Sequence, residues 1–154
     1  MSANEAVQVV FGLYDRTGDY SCYPGVAVTS MFAHAHTKSR VNVTILHDTT
    51  LTAENRARFE RTAERWGQSV SFIDVSEAIY RISEKPDFAA CSRGTLFRLL
   101  PPEVMDIPKV IYLDCDVIVN LDIAELWGVS LKRERERESF PLLPSSRLTF
   151  SPSR

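Results

Sequence analysis

The chain has 154 residues, 44% of them hydrophobic and 25% charged. That balance suits an ordinary globular protein and one domain, and it excludes fibrous or wholly disordered classes. A formal net charge of −2 supplies no global basic field, so nucleic acid is not expected as a partner.

The first apolar, β-branched run, Val7–Leu13, is too short for a helix and reads as a buried strand. After a polar turn, Pro24–His34 reads as a helix, with Pro24 at its first position and Val28, Met31 and Phe32 on one face. Val41–Leu46 follows as a second strand. Thr52 then opens a charged helix that runs to Trp66 and is stopped by Gly67. Val70–Val75 makes a third strand, and a short helix starts near Ser76. Beyond Lys85-Pro86-Asp87, Thr95–Leu100 reads as a helix that Pro101-Pro102 breaks. Lys109–Leu113 is a fourth buried strand ending in Asp114-Cys115-Asp116. Strands and helices that alternate in this way predict an α/β fold with a Rossmann-like, mainly parallel sheet flanked by helices.

Past Leu131 the sequence turns to alternating charge, Lys132 to Glu138, and then to Ser and Pro. Residues 1–131 are therefore expected to fold. Residues 132–154 are expected to be a disordered or frayed helical tail that holds the basic surplus of the chain. Cys22, Cys91 and Cys115 lack CxxC spacing and read as buried free thiols of a reducing compartment. The N-terminal residues hold no basic stretch followed by a long apolar run, from which a cytoplasmic location is expected. Peripheral contact with the inner face of a membrane needs only a basic amphipathic segment and stays open.

Carboxylates at i and i+2 of an extended segment face the same side, so Asp114 and Asp116 can converge on one cation beyond the strand end. Hard oxygen donors suit Mn²⁺ or Mg²⁺, and such a cation can bridge two phosphates of a nucleotide diphosphate. In open α/β sheets the ligand crevice lies outside the carboxyl ends of the strands, where this pair is expected. His47-Asp48 invites an acid–base reading, but adjacent strand residues face opposite sides, and His47 is expected to pack at the strand end. His34 and His36 fall at a helix end, where they suit its dipole.

Three stretches carry a resemblance to a known family. They are Lys109–Val119 with Asp122–Trp127, Ser92–Leu99, and Ile45–Asp48 with Leu51, Thr52 and Asn55. In these, over residues 7–131, the chain resembles glycosyltransferase family 8, retaining transferases of GT-A fold that use UDP-sugars and include lipopolysaccharide glucosyl- and galactosyltransferases. The resemblance implies that Asp114 and Asp116 are Mn²⁺ ligands of a DxD motif, with Asp114 also near the donor ribose and Cys115 between them. It implies that Gly12, Leu13, Tyr14 and Asp15 form the uridine-binding stretch, with Tyr14 or Asp15 at the base. Ser92, Arg93 and Arg98 fall near the donor sugar and phosphates. Where the family often places a basic residue this chain has Ala89 and Ala90, with Lys85 and Arg93 as nearby substitutes and Arg93 favoured, and Arg98 is expected to anchor its helix through carboxylate or backbone contacts.

The implied partners are a UDP-sugar donor and a glycan or glycolipid acceptor. The family's domain is longer, and its second half supplies a third metal ligand from a His motif, whereas this chain has no His beyond His47. The chain thus reads as a truncated or frame-shifted copy, or a fragment, expected to bind donor weakly and turn over little or not at all. It is also expected to expose apolar sheet surface that favours self-association. Two alternatives remain. One is a haloacid-dehalogenase-like phosphatase, whose first strand also ends in Asp-x-Asp, and the other is a non-catalytic remnant that associates with a partner.

Overall fold

Four apolar segments pair in one sheet: β1 (Val7–Leu13), β2 (Val41–His47), β3 (Ser69–Asp74) and β4 (Ile111–Leu113). The computed structural model describes residues 6–36, 39–88 and 90–130, so the predicted tail lies outside the described residues. All pairings are parallel and the order is β3-β2-β1-β4. β1 runs in register with the whole of β2, from Val7 opposite Val41 to Leu13 opposite His47. The connecting helices are α1 (Cys22–His34), α2 (Ala53–Arg65), α3 (Ser76–Ser83), α4 (Arg93–Leu96), α5 (Pro101–Val104) and α6 (Ile123–Trp127).

The two-residue period of the central strands builds a core on each face of the sheet. Val7, Val9, Phe11 and Leu13 of β1 pack with Met31 and Phe32 of α1, Phe59 of α2, and Ile123 and Trp127 of α6. On the other face Val10 and Leu46 meet Ile79 and Ile82 of α3, Leu96 of α4, and Phe97 and Leu100. The central strands β1 and β2 are thus covered on both faces, while β3 and β4 at the sheet edges are half-buried or exposed. Among the described residues the apolar side chains of the edge strands, such as Phe72 and Leu113, are half-buried rather than fully exposed. The exposed large apolar side chains include instead Ile118, Leu121, Leu126 and Val129, which follow β4 in the chain. No described helix is long and apolar enough to cross a membrane.

Several boundaries differ from the sequence reading for identifiable reasons. α1 begins at Cys22, two residues before Pro24, because the Asp15 carboxylate takes up the amides of Tyr20 and Ser21 ahead of it. Pro24 still falls in the first turn, where a missing N–H costs nothing. α2 starts as expected, with the Thr52 hydroxyl accepting from the Asn55 amide, and it ends at Arg65, one residue before the expected Trp66, with Gly67 at φ 62° just past the Trp66 cap.

Thr95–Leu100 is not one helix: α4 gives way to a 3-10 turn over Phe97–Leu99. Pro101 then opens α5 rather than ending a helix, since its ring suits the first helical position. β4 is shorter than predicted, and ahead of it the Lys109 ammonium donates to the carbonyls of Trp127 and Val129 at and just past the end of α6. Cys115 is buried as expected, but Cys22 and Cys91 are exposed, one in the first turn of α1 and the other in the loop before α4.

Candidate functional site

Chain order sends β2 and β3 to one side of β1 and β4 to the other, so the crevice of this sheet opens between the carboxyl ends of β1 and β4. A cleft of about 390 Å³ lies there. It is lined by Gly12, Tyr14, Tyr20, Ser92, Gly94, Thr95, Arg98, Tyr112, Asp114, Cys115 and Asp116. Gly12 makes its floor possible. A Cβ at this position would stand 2.3 Å from Cβ of Phe97 and 2.6 Å from the Tyr112 hydroxyl, contacts that no side chain tolerates.

Past the end of β4 the chain alternates, leaving Asp114 and Asp116 exposed and Cys115 buried between them. Arg98 donates from Nη2 to Oδ1 of Asp114 at 2.9 Å, so the guanidinium does contact a carboxylate, and it also lies 6.0 Å from the Tyr112 ring centre. The Cys115 thiol donates to the Gly12 carbonyl at 3.2 Å and ties the two strand ends together. Burial, with added repulsion from Asp114 and Asp116, pushes this thiol up to about 12, so it stays protonated and neutral. Burial, and then the neighbouring Cys115, likewise pushes the Tyr112 hydroxyl up to about 12.

Charge at the mouth of the cleft therefore comes from the two aspartates and from Arg98. The aspartates offer hard oxygen donors on one side of the cleft, which fits part of the coordination of Mn²⁺ or Mg²⁺. Among the described residues no group of three or more His, Cys, Asp or Glu could hold a metal. Diphosphate oxygens and water would have to complete any such coordination.

Around the β1 end the predicted residues separate. Tyr14 lines the cleft, with the Arg93 guanidinium 5.7 Å from its ring centre. Asp15 does not reach the cleft. It is buried, and its carboxylate accepts from the Tyr20 amide at 2.9 Å, from the Ser21 amide at 3.0 Å, from the Ser21 hydroxyl, and from Asn55 Nδ2 at 3.2 Å. Burial alone would raise its pKa. The hydrogen bonds from the Ser21 side chain and from the backbone of Tyr20, Ser21 and Gly18 outweigh it and hold the carboxyl below the usual range.

Leu13 is fully buried in the core, so only its backbone could serve a ligand. Arg93 stands beside the cleft, paired at 3.8 Å with the buried Asp48. Ser92 lines the cleft and caps α4, accepting from the Thr95 amide at 3.3 Å. His47 packs edge-on against Phe72, with ring centres 6.2 Å apart, while Asp48 turns to Thr50 and Arg93. The two do not act as a pair.

Sequence reasoning missed Tyr20, Gly94, Thr95 and Tyr112. Tyr112 carried a usable signal, since it shares the parity of Asp114 along the strand. Tyr20 carried none, because it reaches the cleft only through the turn that Asp15 organises.

Residues 13–135 match the model of glycosyl transferase family 8. The chain is similar to General stress protein A of Bacillus subtilis (strain 168), at 22% identity over 116 residues, which cover 73% of this chain and 40% of that protein. Among solved structures it is similar to galactosyltransferase LgtC in complex with donor and acceptor sugar analogues. Identity there is 29% and the TM-score 0.63, over 80% of this chain and 43% of that one. The apo WbbM bifunctional glycosyltransferase shares the fold, with a TM-score of 0.68 at 22% identity, over 84% of this chain and 22% of its own. The chain thus spans less than half the length of each of these proteins.

Proposed function

The chain belongs to glycosyltransferase family 8, and from that premise we propose that its β1/β4 crevice binds the UDP-sugar of a transferase. The enzyme would move a hexose, with retention of configuration, to a glycan or glycolipid acceptor such as lipopolysaccharide. The observation that carries the reading is the shared cleft. Two exposed carboxylates, one guanidinium and three tyrosines converge where a parallel sheet of this order receives its ligand. The phosphatase alternative loses its support, since the Asp pair ends the fourth strand and the family match runs from residue 13 to 135.

In this reading Tyr14 offers a flat face to the uracil ring. Arg98 holds one oxygen of Asp114, which leaves the other oxygen and the Asp116 carboxylate to face a cation. Mn²⁺ or Mg²⁺ held by these two residues would offset charge on the diphosphate leaving group. The neutral Cys115 and Tyr112 close the floor without adding negative charge beneath the phosphates.

A calorimetric screen of UDP, UDP-glucose, UDP-galactose, ADP and GDP, all with Mn²⁺, tests the assignment. Uridine nucleotides are expected to bind and the purine nucleotides to bind at least about tenfold more weakly, a difference of roughly 1.4 kcal/mol. Equal binding across the panel, or none to UDP, would overturn it.

A further inference from the structure

Asp48 is a buried carboxylate outside the cleft, 3% exposed, and the donor-site reading gives it no task. Its two oxygens take different partners on either side of Tyr14. Oδ1 accepts from the Thr50 amide at 3.0 Å and from the Thr50 hydroxyl at 2.6 Å. That hydroxyl oxygen in turn accepts from the amide of Asp15 at 2.9 Å, which fixes the backbone immediately after Tyr14. Oδ2 faces Nη1 of Arg93 at 3.8 Å, and the Arg93 guanidinium lies 5.7 Å from the centre of the Tyr14 ring.

We infer that Asp48 is a positioning residue that sets Tyr14 as the nucleoside-facing wall of the cleft, through Thr50 on the backbone side and Arg93 on the ring side. The inference rests on the donor-site reading and adds to it a division of labour. The aspartates and Arg98 address the diphosphate, while the Asp48 network addresses the base. A solitary buried carboxylate would be costly, and pairing it with a guanidinium within cation–π reach of an aromatic ring turns that constraint into a fixed ring orientation. Arg93 is half committed to Asp48, so its charge is offset locally and it contributes to Tyr14 rather than to the phosphates.

Binding of UDP and of inorganic pyrophosphate, each with Mn²⁺, separates the two roles. It is measured by calorimetry on the full chain and on Asp48→Asn, Arg93→Gln and the double variant, with thermal melts alongside. Each single variant is expected to weaken UDP by about three- to tenfold, the scale of one lost cation–π contact and its ordering, and to leave pyrophosphate within about twofold. The double variant is expected to be no weaker than the singles, because both act on one ring.

Unchanged UDP affinity, equal losses for UDP and pyrophosphate, or additive losses in the double variant would each overturn the inference. Should Asp48→Asn fail to fold, Arg93→Gln carries the same test. If the unmodified chain binds neither ligand, the donor-site reading falls and takes this inference with it. If it binds UDP and the variants match it, only the inference falls.

Discussion

Cys115 lies between the two aspartates in sequence and opposite to them in environment. Its thiol is buried and neutral while they are exposed carboxylates, an alternation that carries the parity of β4 into the turn that follows it. The DxD pair was legible in the sequence for this reason. Tyr112 was legible by the same parity, although the reading stopped at the acids. Asp15 stood beside Tyr14 as a candidate for the base contact because a carboxylate after a strand looks like a ligand contact, but it is buried away from the cleft. Its actual partners, the amides of Tyr20 and Ser21, depend on a turn that no periodicity encodes. Gly12 was read as part of a nucleotide-binding stretch, and the structure adds the steric reason for a glycine there. Gly12→Ala is expected to destabilise the fold by about 1–3 kcal/mol through overpacking against Phe97 and Tyr112, measurable as a lower urea midpoint at unchanged slope. A midpoint equal to that of the unmodified chain would show that the strand end yields more readily than its contacts indicate.

The strands were legible almost to the residue because apolar, β-branched runs between turns leave few alternatives, as in β1 and β2. Helix starts were less so. α2 announced itself through Thr52 at the cap position, whereas α1 is entered through the distant Asp15, and the Pro101 pair opened a helix where it was read as a break. The short α6 was not read as a helix at all, although Asp122 caps it by accepting from the Ala124 amide at 3.0 Å. The hydrogen bonds to Asp15 ahead of α1 make this part of the fold pH-sensitive. Its folded pKa lies below the unfolded carboxylate value of about 3.9, so its stabilisation is fully present above that value and is lost as pH falls through the folded pKa. Asp15→Asn is therefore expected to lower stability at pH 7 by about 1–3 kcal/mol and to shrink the loss seen between pH 5 and pH 2. Urea titrations at those pH values check it, and an unaltered acid limb in the variant would contradict the assignment.

At the scale of the molecule, the order β3-β2-β1-β4 is what gathers the site. It brings the end of the first strand beside the end of the fourth, across more than ninety residues of sequence, and seats α4 over the gap. Strand alternation predicted the parallel sheet, and motif order predicted the family. Neither could show that Arg98 would reach Asp114, or that Arg93 would turn to Asp48, because those contacts are set by how α4 and its 3-10 turn pack on the sheet. The central claim is that Asp114 and Asp116 make this crevice a metal-dependent diphosphate site. Its most direct test is UDP binding with Mn²⁺ and with chelator, in the unmodified chain and in Asp116→Ala. The account predicts that Mn²⁺ strengthens UDP binding to the unmodified chain and that Asp116→Ala removes at least about tenfold of that gain. UDP affinities that are the same in both proteins and indifferent to Mn²⁺ would contradict it.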